Sequence, residues 1–490
     1  MRGKIIFLVI LAMLVGLVYL VGTRTRDAHV MPRPRPADVP DAASATAVVP
    51  AAPSVASPDG SPSATAAASL DARAPLLDRP VRLVASSWEL AAAALVANGG
   101  VATADGSAMR AAGLEAHVDV ATAQHDVESQ LARGGADPAG ADVAIVPLPV
   151  LVASYERIRA LEPRVFHVLG WSRGREVLLG AKDGMLAKPG ALTGDVTVFA
   201  DDPSATALAL FALDAAGTPA TRVHVVTDVK GATFAALARP LAADRAPDLP
   251  SKVQLTTAEA SRLVPFVAVA AGGFLREHAA AVTALLVAWD HGATKLRDDV
   301  PGAARRIASE KNAPEPGALL ERLGWMVDPG REDEGHMLGA QGGDAGTGAD
   351  ARVTVGTLFT REWQMLRDTG VLTSPAPDAV PVDATPYTQA HPAAAPGPVV
   401  AVAPPGDGAR VLLAQRVSKG DAAAIGARLA LLAGVFERSV VRITARPASL
   451  AKDAADVATS QHHVGADHVV VATAPLGDAG VALLEVLATP

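Results

Sequence analysis

The chain has 490 residues, enough for two domains plus tails, and half of them are hydrophobic. Its formal net charge of -8, with no basic block beyond a few residues near the N-terminus, excludes nucleic acid as the expected partner. It has no cysteine, which excludes disulfides, thiolate metal sites, cysteine nucleophiles and a lipoprotein-type anchor.

Arg2 and Lys4 precede an uncharged run from Ile5 to Gly22. At about 1.5 Å per residue this run reaches roughly 27 Å, the thickness of a bilayer core. Thr23-Arg24-Thr25-Arg26-Asp27 follows in place of a small-x-small cleavage site. Residues 1–30 are therefore expected to form an uncleaved signal-anchor, a transmembrane helix in the inner membrane with the bulk of the chain facing the periplasm. The basic residues on its two sides balance, so charge does not fix the orientation, and the periplasmic facing is what the family resemblance of the later residues implies. Residues 31–79 are rich in Pro, Ala, Ser and Asp and cannot bury enough surface to offset chain entropy. They are expected to be a disordered tether, on the order of 40 Å long as a coil and up to about 150 Å extended.

From residue 80 strand-like and helix-like segments alternate, as in a parallel α/β sheet. Val81, Leu83 and Ala85 mark a short buried strand that ends at Ser86-Ser87 and enters an Ala-rich helix at Trp88. Such a turn leaves backbone N–H groups pointing at one spot, with Trp88 as a flat apolar wall. Strands at Leu114 to Val120 and at Asp142 to Val146 follow, the second closed by Pro147-Leu148-Pro149. A strand from Val165 to Leu169 is expected to lead to a loop carrying Trp171 and Ser172, and Glu176 to Ala181 to return as a strand. Gly194 to Ala200 then ends in a second strand-to-helix turn with Ser204, Ala205 and Thr206 at the helix start. Two such turns suggest two lobes facing each other.

Residues 331–352 read as a polar surface loop, and Val353 to Leu372 has helical spacing that would cap the second lobe. Residues 375–398 read as a Pro/Ala linker, and residues 399–490 as a separate small domain of β-α-β-α-β-β order.

Taken in order, the Ser-Ser-Trp strand, AGLEAHVDV, DVAIVPLP, VLLGAKDG and DVTVFADDPSATALALFAL resemble the type II periplasmic substrate-binding proteins of ABC transporters. The sulfonate, nitrate and taurine binders and the thiamine-precursor proteins are the most similar branch. Gly273 to Val282 resembles that family's "FLKEHPEAV" helix start, and the segments to Met326 resemble its later helices. The resemblance, over about residues 80 to 330, implies a two-lobed α/β fold, with the solute-binding domain at 80–374. It also implies a small ligand in the interlobe cleft, an ABC permease as partner, no cofactor and no enzymatic activity. Carried over position by position, its ligand-binding candidates are Ser86, Ser87, Trp88, Pro147, Leu148, Trp171, Ser172, Ser204, Ala205 and Thr206. Each has a structural reading beside it: caps for the serines, packing for the tryptophans, a strand terminator for Pro147-Leu148.

One departure stands out. Where the family has "DAAVTWEPW", this chain has Phe234 to Leu241 without the aromatic and acidic signature, and the next family strand survives as Leu263 to Ala270. Arg82, Arg173 and Arg175 are compatible with an anionic ligand such as a sulfonate, and equally with solvated surface positions. Gly170 to Gly174 matches Gly-x-Ser-x-Gly, but a strand rather than a helix is expected after it, which argues against a nucleophile elbow at Ser172. Asp201 with Asp202, and Glu332, Asp333 and Glu334, read as solvated loop charges.

The last domain resembles a degenerate OmpA-like module, α+β, which in that family grips peptidoglycan. The Asp expected after its central strand is missing, and His462 or His463 stands where an Arg is expected. Neither peptidoglycan binding nor a metal shared by His462, His463 and His468 is expected; those histidines read as solvated. The function expected is that of an extracytoplasmic solute-binding protein of an ABC-type uptake system. The alternative is an envelope structural or interaction protein that retains both folds, and a sensor is a third reading.

Overall fold

The computed structural model describes residues 74–188, 190–239, 249–340, 353–392, 402–406, 408–418, 420–473 and 480–489. The expected signal-anchor and nearly all of the tether lie outside these residues. Among the described residues no helix is long and apolar enough to cross a membrane. The tether reading fails at its end, because the Leu76 amide bonds Gly113 and Arg79 pairs with Asp142 at 2.7 Å.

The first half of the chain runs β1 (Val81–Ala85), α1 (Trp88–Asn98), α2 (Ala108–Ala111), β2 (Ala116–Val120), α3 (Gln124–Arg133), β3 (Val143–Pro147), α4 (Leu148–Ile158) and β4 (Arg164–Ser172). It crosses at residues 173–175 into a second sheet with β5 (Glu176–Gly180), β6 (Val196–Ala200), α5 (Pro203–Ala215), β7 (Val223–Val226), β8 (Phe234–Ala238) and β9 (Lys252–Thr256). It then crosses back into β10 (Pro265–Ala270), followed by α6 (Gly272–Glu277), α7 (Ala279–Asp298), α8 (Val300–Ile307), α9 (Pro316–Leu323), β11 (Met326–Val327) and α10 (Gly330–Met337).

The first sheet has the order β11-β4-β10-β3-β1-β2 and the second β7-β6-β8-β5-β9. The two share a plan. Each has three parallel strands flanked by an antiparallel one: β10 beside β3, with Ala268 opposite Ile145, and β5 beside β8, with Leu178 opposite Ala236. The two crossings that deliver β5 and β10 join the lobes, as the two-lobed reading requires.

In both lobes the helix after the first strand-to-helix turn, α1 or α5, is apolar on all sides, which demands a layer on each side of it. In the first lobe α7 covers α1, and the approach is close because Gly292 has no side chain: a Cβ there would lie 2.1 Å from the Ala93 carbonyl oxygen. In the second lobe the cover comes from the end of the chain.

After α11 (Val355–Asp368) and α12 (Thr385–Ala390), that end folds as β12 (Val411–Ser418), α13 (Ala422–Val435), β13 (Ser439–Arg446), α14 (Ala448–Ser460), β14 (Val469–Ala472) and β15 (Val481–Ala488). Its sheet order is β12-β15-β13-β14. The β-α-β-α-β-β order is the one expected, but the domain is not a detached module. Phe436 meets Phe211 of α5 with ring centroids 6.1 Å apart, Arg428 pairs with Asp214 at 2.7 Å, and the Ala414 amide bonds the Leu186 carbonyl at 2.9 Å.

Three other expectations change. The stretch read as a linker is structured over its described residues 375–392: the Val165 amide of β4 bonds the Pro381 carbonyl, the Asp383 amide bonds the Val165 carbonyl, and Tyr387 of α12 is buried. The "surface loop" begins as α10, whose Glu334 is buried rather than solvated. α11 caps both lobes: Tyr155 of α4 meets Phe359 and Trp363 edge-on at 5.4 and 5.9 Å, while Arg361 pairs with Asp214 of α5.

Candidate functional site

The lobes adjoin where α4 packs against α5, and Arg175 feels the charges of Glu89 beside the first strand-to-helix turn and Asp202 in the second. On the first, Ser87 takes the N-cap position of α1 but its side chain makes no capping bond, and its hydroxyl is buried without a partner. Ser86 donates its amide to Ile145, a strand continuation rather than a ligand contact. On the second turn Asp202, not Ser204, caps α5, accepting from the amides of Ser204 at 2.7 Å and Ala205 at 3.3 Å. That frees the Ser204 hydroxyl, which is also buried without a partner. Thr206 returns its hydroxyl to the Asp202 carbonyl at 3.0 Å.

Arg175, on the first crossing, ties these turns together. Burial opposes its charge, but Glu176, Asp202 and Glu89 outweigh that and raise its pKa above the ordinary value. Its Nη1 donates to Glu176 Oε1 at 2.9 Å. The other Glu176 oxygen accepts from Ser172 and, at 3.1 Å, from Thr257 on the second crossing. Both crossings thus meet in one buried hydrogen-bond network. Across it lies Glu362 of α11, whose carboxyl is pushed well above the usual range by burial and then by the charge of Asp202.

Several expected contacts are placed elsewhere. Trp171 and Ser172 belong to the end of β4 rather than to a loop. Trp171 is buried under Arg262, whose guanidinium lies 4.8 Å from the ring centroid and pairs with Asp333 and Glu437. Asp333 is therefore no solvated loop charge. Leu148 and Ala205 are fully buried in the core, and Pro147 ends β3. Trp88 is nearly buried, and β5 does follow Ser172, as the argument against a nucleophile elbow required. Of the three arginines, Arg82 bonds the Pro138 carbonyl at 2.9 Å, Arg175 is held by Glu176, and Arg173 is exposed.

The residues that sequence reasoning passed over are Glu89, Glu176, Thr257 and Glu362, and Asp202, read as a solvated loop charge, is instead the cap of α5. A glutamate opening the apolar strand EVLLG was the one legible signal, since a charge there needs a buried partner. In the last domain His462 is half-buried and His463 exposed, but His468 is buried, with Nε2 3.0 Å from the Glu437 carbonyl.

A cavity of about 400 Å³ lies within the first lobe, between α1, α7, β4 and β11. It is lined by Glu89, His167, Trp289 and apolar side chains that include Leu90, Leu296 and Met326. His167 and Glu334 form a buried ion pair there; burial disfavours the imidazolium, and the Glu334 charge and hydrogen bond outweigh it and raise the His167 pKa.

No protein-family model matches this chain, and no curated protein matches it in sequence. Among solved structures it is similar to the ligand-binding component of an ABC-type import system from Staphylococcus aureus, at 11% identity and TM-score 0.42, over 64% of this chain and 99% of that one. It is similar to the periplasmic aliphatic sulphonate binding protein SsuA from Escherichia coli at 13% identity and TM-score 0.43, over 64% and 92% of the two chains. For the periplasmic nitrate-binding protein NrtA from Synechocystis PCC 6803 the values are 15%, 0.37, 51% and 71%.

Proposed function

We propose that this chain is a solute-binding protein of an ABC-type uptake system, placed in the periplasm and tethered to the inner membrane by its N-terminal apolar run. It holds a small organic solute between its lobes and is not an enzyme. The observation that carries this reading is the pair of buried, unpartnered hydroxyls, Ser87 and Ser204, one on each lobe's first strand-to-helix turn. A buried hydroxyl without a partner is costly, and a solute that hydrogen-bonds both would recover that cost while drawing the lobes together. An anionic solute is not favoured, because Arg175 already serves Glu176, and Glu89 and Asp202 also bear on it. We read the solute as a neutral or cationic polar molecule. Ser86, Trp88 and Thr206 remain candidates for its immediate surroundings.

The C-terminal domain, whose order supports the OmpA-like reading, acts here as the outer layer of the second lobe. Pro447-Ala448 follows β13 where that family's Asp is expected, so peptidoglycan binding is not part of the proposal.

A thermal-shift screen of the full chain against polyols, small amines, pyrimidines, sulfonates and nitrate tests the reading. A ligand at a hundred times its Kd adds about 2.7 kcal/mol of stability. Ser87→Ala and Ser204→Ala should each weaken a hit by up to about tenfold, the worth of one hydrogen bond. A flat panel on folded protein, or a hit indifferent to both serines, would move the reading to an envelope structural protein.

A further inference from the structure

We infer that the cavity inside the first lobe is a second ligand site, distinct from the interlobe turns, and that it takes a small organic amine with an apolar body and a hydrogen-bond acceptor. The inference does not depend on the interlobe reading. It rests on two polar groups set into an apolar wall.

The first is Glu89, only 5% exposed, whose Oε2 is buried without a hydrogen-bond partner. Arg175 feels its charge but gives its hydrogen bond to Glu176. The second is Trp289, 1% exposed, whose indole N–H is likewise buried and unpartnered. Both residues line the cavity, whose volume of about 400 Å³ is in the usual range for small-molecule sites. Buried polar atoms without partners are rare in folded proteins, and Glu89 Oε2 and Trp289 Nε1, which have no ion-pairing charge or acceptor beside them among the described residues, mark a place that a ligand completes.

The remaining charges around the cavity cancel in pairs. His167 is held by Glu334 at 2.5 Å, and Arg297 by Asp328. Asp290 Oδ2 is also buried without a hydrogen bond, but the Arg331 guanidinium lies 3.2 Å from it and neutralises its charge, and a His391 ring nitrogen lies at the same distance. Arg173 is exposed and its charge is screened by solvent. Glu89 is thus the group whose charge is left for an incoming ligand, and it selects a cation. Trp289 supplies a donor, so the ligand also carries an acceptor. Leu90, Leu296, Met326 and Val327 receive its apolar body.

Phenylalaninol has all three features, 3-phenylpropan-1-ol lacks only the ammonium, and phenethylamine lacks the hydroxyl. Calorimetric titration of the full chain at neutral pH should rank phenylalaninol first, with the alcohol about 10–100-fold weaker, the worth of a hydrogen bond to a charged group. Phenethylamine should fall between them. Glu89→Gln should remove the preference for the amine over the alcohol, and Leu296→Trp, which fills the cavity, should abolish binding of all three. Because Glu89→Gln could disturb folding, each variant is first checked for a wild-type melting transition, and Leu296→Trp carries the test if Glu89→Gln fails that check. Equal binding of amine and alcohol, or no binding of phenylalaninol to the folded protein, would overturn the proposal. So would loss of phenylalaninol binding in Ser204→Ala with Leu296→Trp binding as wild type, which would put the amine between the lobes.

Discussion

The two lobes solve one problem in different ways. Each carries an alanine-rich helix, α1 or α5, that is apolar on every side and must be covered on both. The first lobe covers α1 with its own later helix α7, whereas the second lobe recruits the C-terminal domain, through Phe436 on Phe211 and Arg428 on Asp214. A chain segment with the order of an independent module can thus serve as a missing layer. The second lobe should depend on that domain, and the first should not.

The sharpest way to break this comparison is at the docked face. Phe436 is fully buried against α5, so Phe436→Ala should cost about 3–5 kcal/mol and lower the denaturation midpoint of the whole chain. Arg262→Ala should cost a similar amount, about 3–5 kcal/mol, because it leaves Asp333 and Glu437 without their common cation. If the C-terminal domain were detached, chemical denaturation of Phe436→Ala would show a separate early transition and an unshifted main one. In the first lobe the matching position is Gly292. Gly292→Ala drives a methyl to 2.1 Å from the Ala93 carbonyl oxygen, which should cost about 1–3 kcal/mol. Gly317→Ala, with open space around its Cβ, should be neutral within about 0.5 kcal/mol.

Much of this architecture was legible. Alternation placed β1, short apolar runs bounded by turn residues placed β3, β5 and β6, and the Ser-Ser-Trp and Asp-Asp-Pro-Ser turns were read as helix entries, because these are local signals. What failed was long-range. Asp333 and Glu334 read as loop charges because their partners, Arg262 and His167, lie far away in sequence. The ordered stretch around Tyr387 read as a linker because its support is β4, more than 200 residues earlier. The candidate site divided the same way: the turns were visible, while the pairing of Arg175 with Glu176 and its exposure to the charges of Glu89 and Asp202, which decide ligand class, were not. All-round apolarity of α5 was the overlooked local clue that another layer must cover it.

A smaller effect separates the lobes at their turns. Glu362 of α11 lies near Asp202 at the second turn, whereas the buried carboxyl beside the uncapped Ser87 turn, Glu89, belongs to α1 itself. Its folded-state pKa is raised, so its contribution to stability is present below its ordinary value of about 4.5 and is lost as pH rises through the raised value. Glu362→Gln should therefore match wild type at pH 4 and exceed it by about 1–3 kcal/mol at high pH, the cost of an unsatisfied buried polar group. Urea midpoints across pH 4–8 read this directly, and a constant gap would show that the carboxyl does not titrate differently on folding.

Asp202 gives the smallest effect and the finest test, because it does two opposed things. It caps α5 through the Ser204 and Ala205 amides, worth about 1 kcal/mol, and its charge also penalises an ionised Glu362. Asp202→Ala loses the cap but relieves that repulsion, so in the wild-type background at high pH the two should partly cancel. With Glu362→Gln already in place there is no repulsion to relieve, and Asp202→Ala should cost its full capping energy. A double-mutant cycle should therefore show Asp202→Ala to be more destabilising in the Glu362→Gln background than in the wild type, by a few tenths of a kcal/mol or more, and the difference should vanish at pH 4. Additive effects at every pH would mean that Asp202 does not act on Glu362. The second turn would then be a closed cap, with the Ser204 hydroxyl the only part of it left for a ligand.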